Sequence, residues 1–142
     1  MLHPLRLSRL SIALFSLLLG VASAALADDL DCSRITLGAQ VERCAQLDKD
    51  RADAALNTSY QALLGRLQHQ YQSHPLLEQD YLGKLKNAQR AWIKYRDTSC
   101  VVEAFEVQPG TPAHTTLINT CVSRLSRERA RDLDRWLPEC CS

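Results

Sequence analysis

The chain has 142 residues, 46% of them apolar and 23% charged, with 17 Lys+Arg against 16 Asp+Glu. That length fits one globular domain and leaves little room for a second. Nearly cancelling charge, only five glycines and five prolines, and an aromatic content of 6% exclude a strongly basic nucleic-acid binder, a collagen-like chain and a long disordered polymer.

The first 27 residues read as a leader. Arg6 and Arg9 precede an apolar run from Leu10 to Gly20, which passes through small residues to Ala25-Leu26-Ala27, the A-x-A pattern of a secretory cleavage site. The run is shorter than the ~20 residues a membrane-spanning helix needs, and no second one follows. The expected product is therefore a periplasmic or secreted protein beginning at Asp28, with no membrane anchor after cleavage. Cys32 is not expected to carry lipid, because Asp29-Leu30-Asp31 before it lacks the small residues that lipid attachment requires.

The leader holds two arginines and no acid, so the mature chain carries a net charge of minus one. Long-range steering toward a strongly charged partner is weak at that value. Locally the charge is uneven: Asp28 to Asp53 holds seven acids against four bases, and Arg124 to Arg135 holds five arginines against three acids. Solvated helix faces with i,i+4 pairing account for both stretches.

Three helices are expected in chain order. From Thr36 to about Ser73 the apolar residues Leu37, Val41, Cys44, Leu56, Tyr60, Leu63, Leu67 and Tyr71 recur at helical intervals without a proline, with a bend conceivable near Asp48-Lys49-Asp50. Ser73-His74-Pro75 stops that helix and starts the next, Pro75 suiting a first turn. The second helix is expected to run to about Val107, with Leu77, Tyr81, Leu85, Ala88, Trp92, Tyr95 and Val102 on one face. Gln108-Pro109-Gly110-Thr111-Pro112 then turns the chain. The third helix is expected from about Ala113 to Leu137, ended by Pro138. No stretch alternates with period two, so the fold class is all-α: an elongated, disulfide-stapled antiparallel three-helix bundle.

Folding the first hairpin about His74-Pro75 sets Asp53 level with Arg96, Asn57 with Trp92, and Tyr60 with Gln89. Each set also recurs at helical spacing, so two polar stripes face each other across one seam. Folding the second about Gly110-Thr111 sets Cys100 beside Cys121, and a disulfide there would close a loop of roughly 20 residues, adding about 3 kcal/mol in the chain-entropy model. The same register puts Arg129 level with Trp92, where a guanidinium can lie over the indole. Cys32 and Cys44 belong to the Gly110 end, and Cys32–Cys44 is the preferred pairing, with Cys44–Cys100 as its rival. Cys140 and Cys141 are left as an adjacent pair, an intermolecular bridge or free thiols.

These residues carry a resemblance. Asp53-Ala-Ala-Leu56-Asn57-Thr-Ser-Tyr60 fits a D-x-x-L-N-x-x-Y element, and Ala88 to Cys100 fits A-Q-R-x-W-x-x-Y-R-D-x-x-C. With Cys32 and Cys44 upstream, and Cys121 followed by Ser126, Arg129 and Leu133, the chain resembles the LprI-type lysozyme inhibitor family over nearly its whole mature length. The resemblance implies a small exported helical domain whose protein partner is lysozyme, inhibited by binding alone. The chain departs from the family pattern in its final Cys140-Cys141 and in lacking a lipid-attachment motif.

Asp53, Asn57, Tyr60, Gln89, Trp92, Arg96 and Arg129 are expected to form a polar layer that fixes helix alignment, since buried polar groups must be paired. A buried Asp53–Arg96 pair would make truncation of Arg96 cost about 3 to 5 kcal/mol. No catalytic residue is expected: there is no G-x-S-x-G elbow and no glycine loop for phosphate. No cofactor or metal is expected either, since His69, His74, Cys140 and Cys141 share one end of the bundle but match no standard zinc spacing. The alternative to inhibition is an envelope interaction or structural module whose partner is another exported protein, with Cys140 or Cys141 forming a covalent dimer.

Overall fold

In the computed structural model, which describes residues 30–137, each helix begins where the local chemistry supplies a start. In α1 (Gly38–Tyr71) the side chain of Gln40 reaches back, its Oε1 accepting from the backbone N–H groups of Thr36 at 2.8 Å and Leu37 at 2.9 Å. Two donors that the first turn leaves without intrahelical partners are thereby satisfied. Helix α2 (Pro75–Glu103) opens on Pro75, whose missing N–H costs nothing in a first turn. Helix α3 (Pro112–Arg135) is capped by Thr111, whose hydroxyl accepts from the His114 N–H at 3.2 Å. The tight turn before it requires Gly110, which sits at φ +80. Helix α1 runs unbroken through Asp48-Lys49-Asp50, and α2 ends four residues short of Val107, in a turn through Ala104 and Phe105. The leader, Pro138, Cys140 and Cys141 lie outside the described residues.

The two hairpins send α2 back along α1 and α3 back along α2, so α1 and α3 run parallel. Their side-chain bonds show this directly, because partners keep a nearly constant spacing in sequence. Asn119 Nδ2 donates to Gln46 Oε1 at 3.1 Å, Ser123 Oγ to Asp48 Oδ2 at 2.5 Å, and Ser126 Oγ to Asp53 Oδ1 at 2.8 Å, separations of 73, 75 and 73 residues. This parallel α1–α3 seam is the principal interface. It is close because the residues buried along it are small, Ala52 on α1 and Ser123, Ser126 and Ala130 on α3. Toward the His74 end the same seam turns apolar, and Leu63, Leu67 and Leu133 are fully buried there with Leu85 of α2.

Helix α2 lies against this pair rather than in it: Leu85 and Cys100 are its only buried residues. It is fastened covalently at its far end, where Cys100 and Cys121 are bonded with Cα atoms 5.5 Å apart. A second disulfide, Cys32–Cys44, with Cα atoms 5.6 Å apart, ties the incoming segment onto the first turns of α1. The rival Cys44–Cys100 pairing does not form.

Both disulfides therefore staple the same end of the bundle. Replacing Cys100 and Cys121 together with alanine is expected to lower stability by about 3 kcal/mol, read as a fall in the urea midpoint; an unchanged midpoint would contradict it. A second expectation concerns acid. The Ser123 hydroxyl first, and the Arg127 guanidinium second, hold the Asp48 carboxyl below its ordinary range. A carboxyl depressed in the folded state contributes stability above its unfolded value, about 3.9, and loses it as pH falls through the lower folded value. Urea midpoints should hold from neutral pH down to about 4 and then decline, and Asp48→Asn should give a lower plateau with a shallower acid limb. An equally steep limb in that variant would remove Asp48 from the account.

Candidate functional site: a groove between the first two helices

Asp53, on the α1 face turned toward both other helices, is where the three meet. Its Oδ1 accepts from Arg96 Nη1 of α2 at 2.9 Å and from Ser126 Oγ of α3 at 2.8 Å, and Arg96 Nη1 lies 3.0 Å from Ser126 Oγ. The other oxygen, Oδ2, is 3.7 Å from Lys49 Nζ. The Arg96 side chain is 13% exposed and that of Asp53 36%, so the pair sits at the margin of the core with one oxygen toward water.

Trp92, one turn before Arg96, is flanked by two guanidinium groups. Arg96 Cζ lies 5.4 Å from its ring centroid and Arg129 Cζ 5.8 Å. Arg129 also lies 4.8 Å from the Trp136 ring, and its Nε donates to Gln89 Oε1 at 3.1 Å. Arg129 is buried and makes no ion pair within the described residues. Desolvation pulls its affinity for a proton below the ordinary arginine value, opposed by the nearby charge of Asp132. Two indole faces compensate the guanidinium where a carboxylate would usually do so.

The remaining motif residues are placed differently. Asp53, Leu56, Asn57 and Tyr60 of α1 face Gln89 and Arg96 of α2 across an open groove of about 330 Å³, whose other walls are Lys86, Arg90 and Ile93. Asn57 is exposed and Tyr60 half-buried, and neither side chain makes a hydrogen bond within the described residues. The expected polar layer thus divides. Asp53, Gln89, Trp92, Arg96 and Arg129 bond or stack internally, while Asn57 and Tyr60 line a surface.

The seam between α1 and α3 also contains partners that the hairpin registers do not reach. Asp48, Arg127, Asn119 and Ser123 are not marked by the sequence as partners, although Ser123, Ser126 and Ala130 recur at i, i+3, i+7 and mark one small-residue stripe on α3. Four acids of the acid-rich segment are paired within the molecule. Asp31 is bonded by Ser33 and Arg34, Asp48 by Ser123 and Arg127, Asp50 by Gln46 and Lys49, and Asp53 by Arg96 and Ser126. No group of three or more His, Cys, Asp or Glu among the described residues is arranged to hold a metal ion.

Because Asp53 keeps Ser126, Lys49 and water when Arg96 is shortened, the cost of Arg96→Ala is revised downward from that of a fully buried pair. It should be about 2 kcal/mol, the scale of a hydrogen bond to a charged group, measured by urea denaturation. A midpoint equal to that of the unmodified protein would show that the node contributes nothing.

The family described as Lysozyme inhibitor LprI matches residues 32–133, a span that includes both disulfides and every motif residue named above. An uncharacterized protein of Rhizobium meliloti (strain 1021) is 33% identical over 106 residues, covering 72% of this chain and 76% of its own. The crystal structure of a DUF1311-family protein from Pseudomonas putida KT2440 superposes with a TM-score of 0.64 at 29% identity, covering 71% of this chain and 94% of that one. With a family match that spans most of its length and a relative 33% identical over 72% of it, the chain belongs to the lysozyme inhibitor LprI family.

Proposed function

We propose that this protein, exported by cleavage after Ala27, inhibits lysozyme by occupying its glycan cleft without chemistry of its own. The observation that carries the reading is the family match across residues 32–133. The fold supports it in shape. An enzyme cleft is concave, and its blocker needs a firm projection.

The Gly110 end of the bundle has that character. It gathers the first turns of α1 and α3 and the last turn of α2, and both disulfides lie there. It also carries most of the exposed large apolar side chains, with Phe105 82% exposed, Val102 73% and Leu37 64%. Apolar groups held on a stapled frame lose little conformational freedom on binding, so more of their contact energy appears as affinity. No helix among the described residues is long and apolar enough to cross a membrane.

The purified chain 28–142, added in stoichiometric excess, is expected to slow lysozyme-driven clearing of a cell-wall suspension. Val102→Asp with Phe105→Asp should remove the effect at least tenfold while leaving the thermal midpoint unchanged, since both side chains are exposed. Undiminished clearing with the unmodified protein would reject inhibition; undiminished inhibition by the double variant would reject the apolar end as its contact.

A further inference from the structure

Two signature residues and two cations remain without work inside the molecule, and all four line the same groove. Asn57 and Tyr60 make no side-chain hydrogen bond within the described residues, and Gln89 commits only its carbonyl oxygen, to Arg129, leaving its amide N–H groups unused. Lys86 and Arg90 stand one helical turn apart on α2, exposed, and enter no ion pair among the described residues. Lys84, two positions earlier, is paired with Asp80 at 2.6 Å as surface lysines commonly are.

The groove floor is apolar, with Leu56 buried and Ile93 39% exposed. Its single acid, Asp53, is paired with Arg96, which Asp97 also shares, and with Lys49, so Lys86 and Arg90 are left without a counter-charge among the described residues. We propose that the groove between α1 and α2 binds a short peptide bearing a free carboxylate beside an apolar side chain. The carboxylate meets Lys86 and Arg90, the peptide amides meet the Asn57 and Gln89 amides and the Tyr60 hydroxyl, and the apolar side chain covers Leu56 and Ile93.

Each feature of the groove selects against a simpler ligand. An inorganic anion would satisfy the two cations and leave the floor and the amides unused. A purely apolar group would strand three polar side chains, which is costly once water is expelled. The volume, about 330 Å³, lies at the small end for organic ligand sites, which suits a ligand of about two residues. A concavity that receives a ligand is also distinct from the projecting Gly110 end, so this site stands independently of lysozyme inhibition.

The test follows side-chain amide resonances of the 15N-labelled chain, secreted with its own leader, as N-acetyl-leucyl-glutamate is added at millimolar concentrations. Saturable shifts are expected at the Asn57 and Gln89 amides, with binding about tenfold weaker or more for the uncharged N-acetyl-leucyl-glutamine amide. Lys86→Glu with Arg90→Glu should abolish the response, whereas Lys84→Glu should keep it; thermal midpoints establish that both variants fold. Absence of saturable shifts, equal binding of the uncharged peptide, or an unaltered response in the Lys86/Arg90 variant would each overturn the proposal. The peptide arms use the unmodified protein, so they decide the matter even where a variant misfolds. Lysozyme inhibition by the Lys86/Arg90 variant is expected to persist, which separates failure of this site from failure of the inhibitor reading.

Discussion

One carboxylate oxygen joins the three helices. Asp53 Oδ1 receives the guanidinium of Arg96 from α2 and the hydroxyl of Ser126 from α3, so a single atom fixes the relative height of every element. A slip of either partner helix by one turn, about 5.4 Å, would leave the carboxylate facing an unmatched wall. Apolar packing alone would tolerate such a slip more readily, because leucine side chains repeat along the seam. The polar node therefore specifies alignment, and the leucines nearer the His74 end supply most of the buried apolar surface. The work is divided along the length of the bundle.

Sequence reasoning reached what the turns connect. The Asp53–Arg96 contact, the Cys100–Cys121 disulfide and the stacking of Arg129 on Trp92 follow from doubling a helix back at Pro75 and Gly110, whereas for Cys44 the sequence prefers Cys32 without excluding Cys100. Nothing of that kind relates α1 to α3. They are parallel neighbours joined only through α2, and their register is set by hydroxyls and short side chains that carry no hydropathy signal. Ser123 and Ser126 are buried to 0% exposure, yet by composition each reads as a surface residue. Asp48 illustrates the same blind spot from the other side. It belongs to an acid-rich run that looks solvated, and its partner lies 75 residues away.

The signature motif is likewise only partly a matter of stability. Asp53, Trp92, Arg96 and Arg129 have internal partners that account for their identity: a carboxylate for two helices, an indole between two cations, and an arginine between two rings that makes no ion pair among the described residues. Gln89 spans both kinds, with its oxygen turned to Arg129 and its nitrogen unused. Asn57 has no hydrogen-bond partner among the described residues, so packing there supplies no reason for an asparagine. The sequence pattern cannot make this distinction, because helical spacing puts structural and solvent-facing residues on the same stripe. Only the distances separate them.

The openness of the groove follows from how α2 is held. Its buried residues, Leu85 and Cys100, lie fifteen positions apart, and between them it is secured chiefly through Trp92 and Arg96, which face Arg129, Ser126 and Asp53. Those contacts draw α2 toward α3 and the carboxylate edge of α1. The opposite flank, carrying Lys86, Arg90 and Ile93, receives no matching pull. Closing it would require apolar residues at Asn57 and Lys86, where the chain has an amide and an ammonium group; desolvating both without partners would cost more than the contact returned. The groove thus persists because the residues that would have to seal it are ones that water, or a ligand offering equivalent hydrogen bonds, must satisfy.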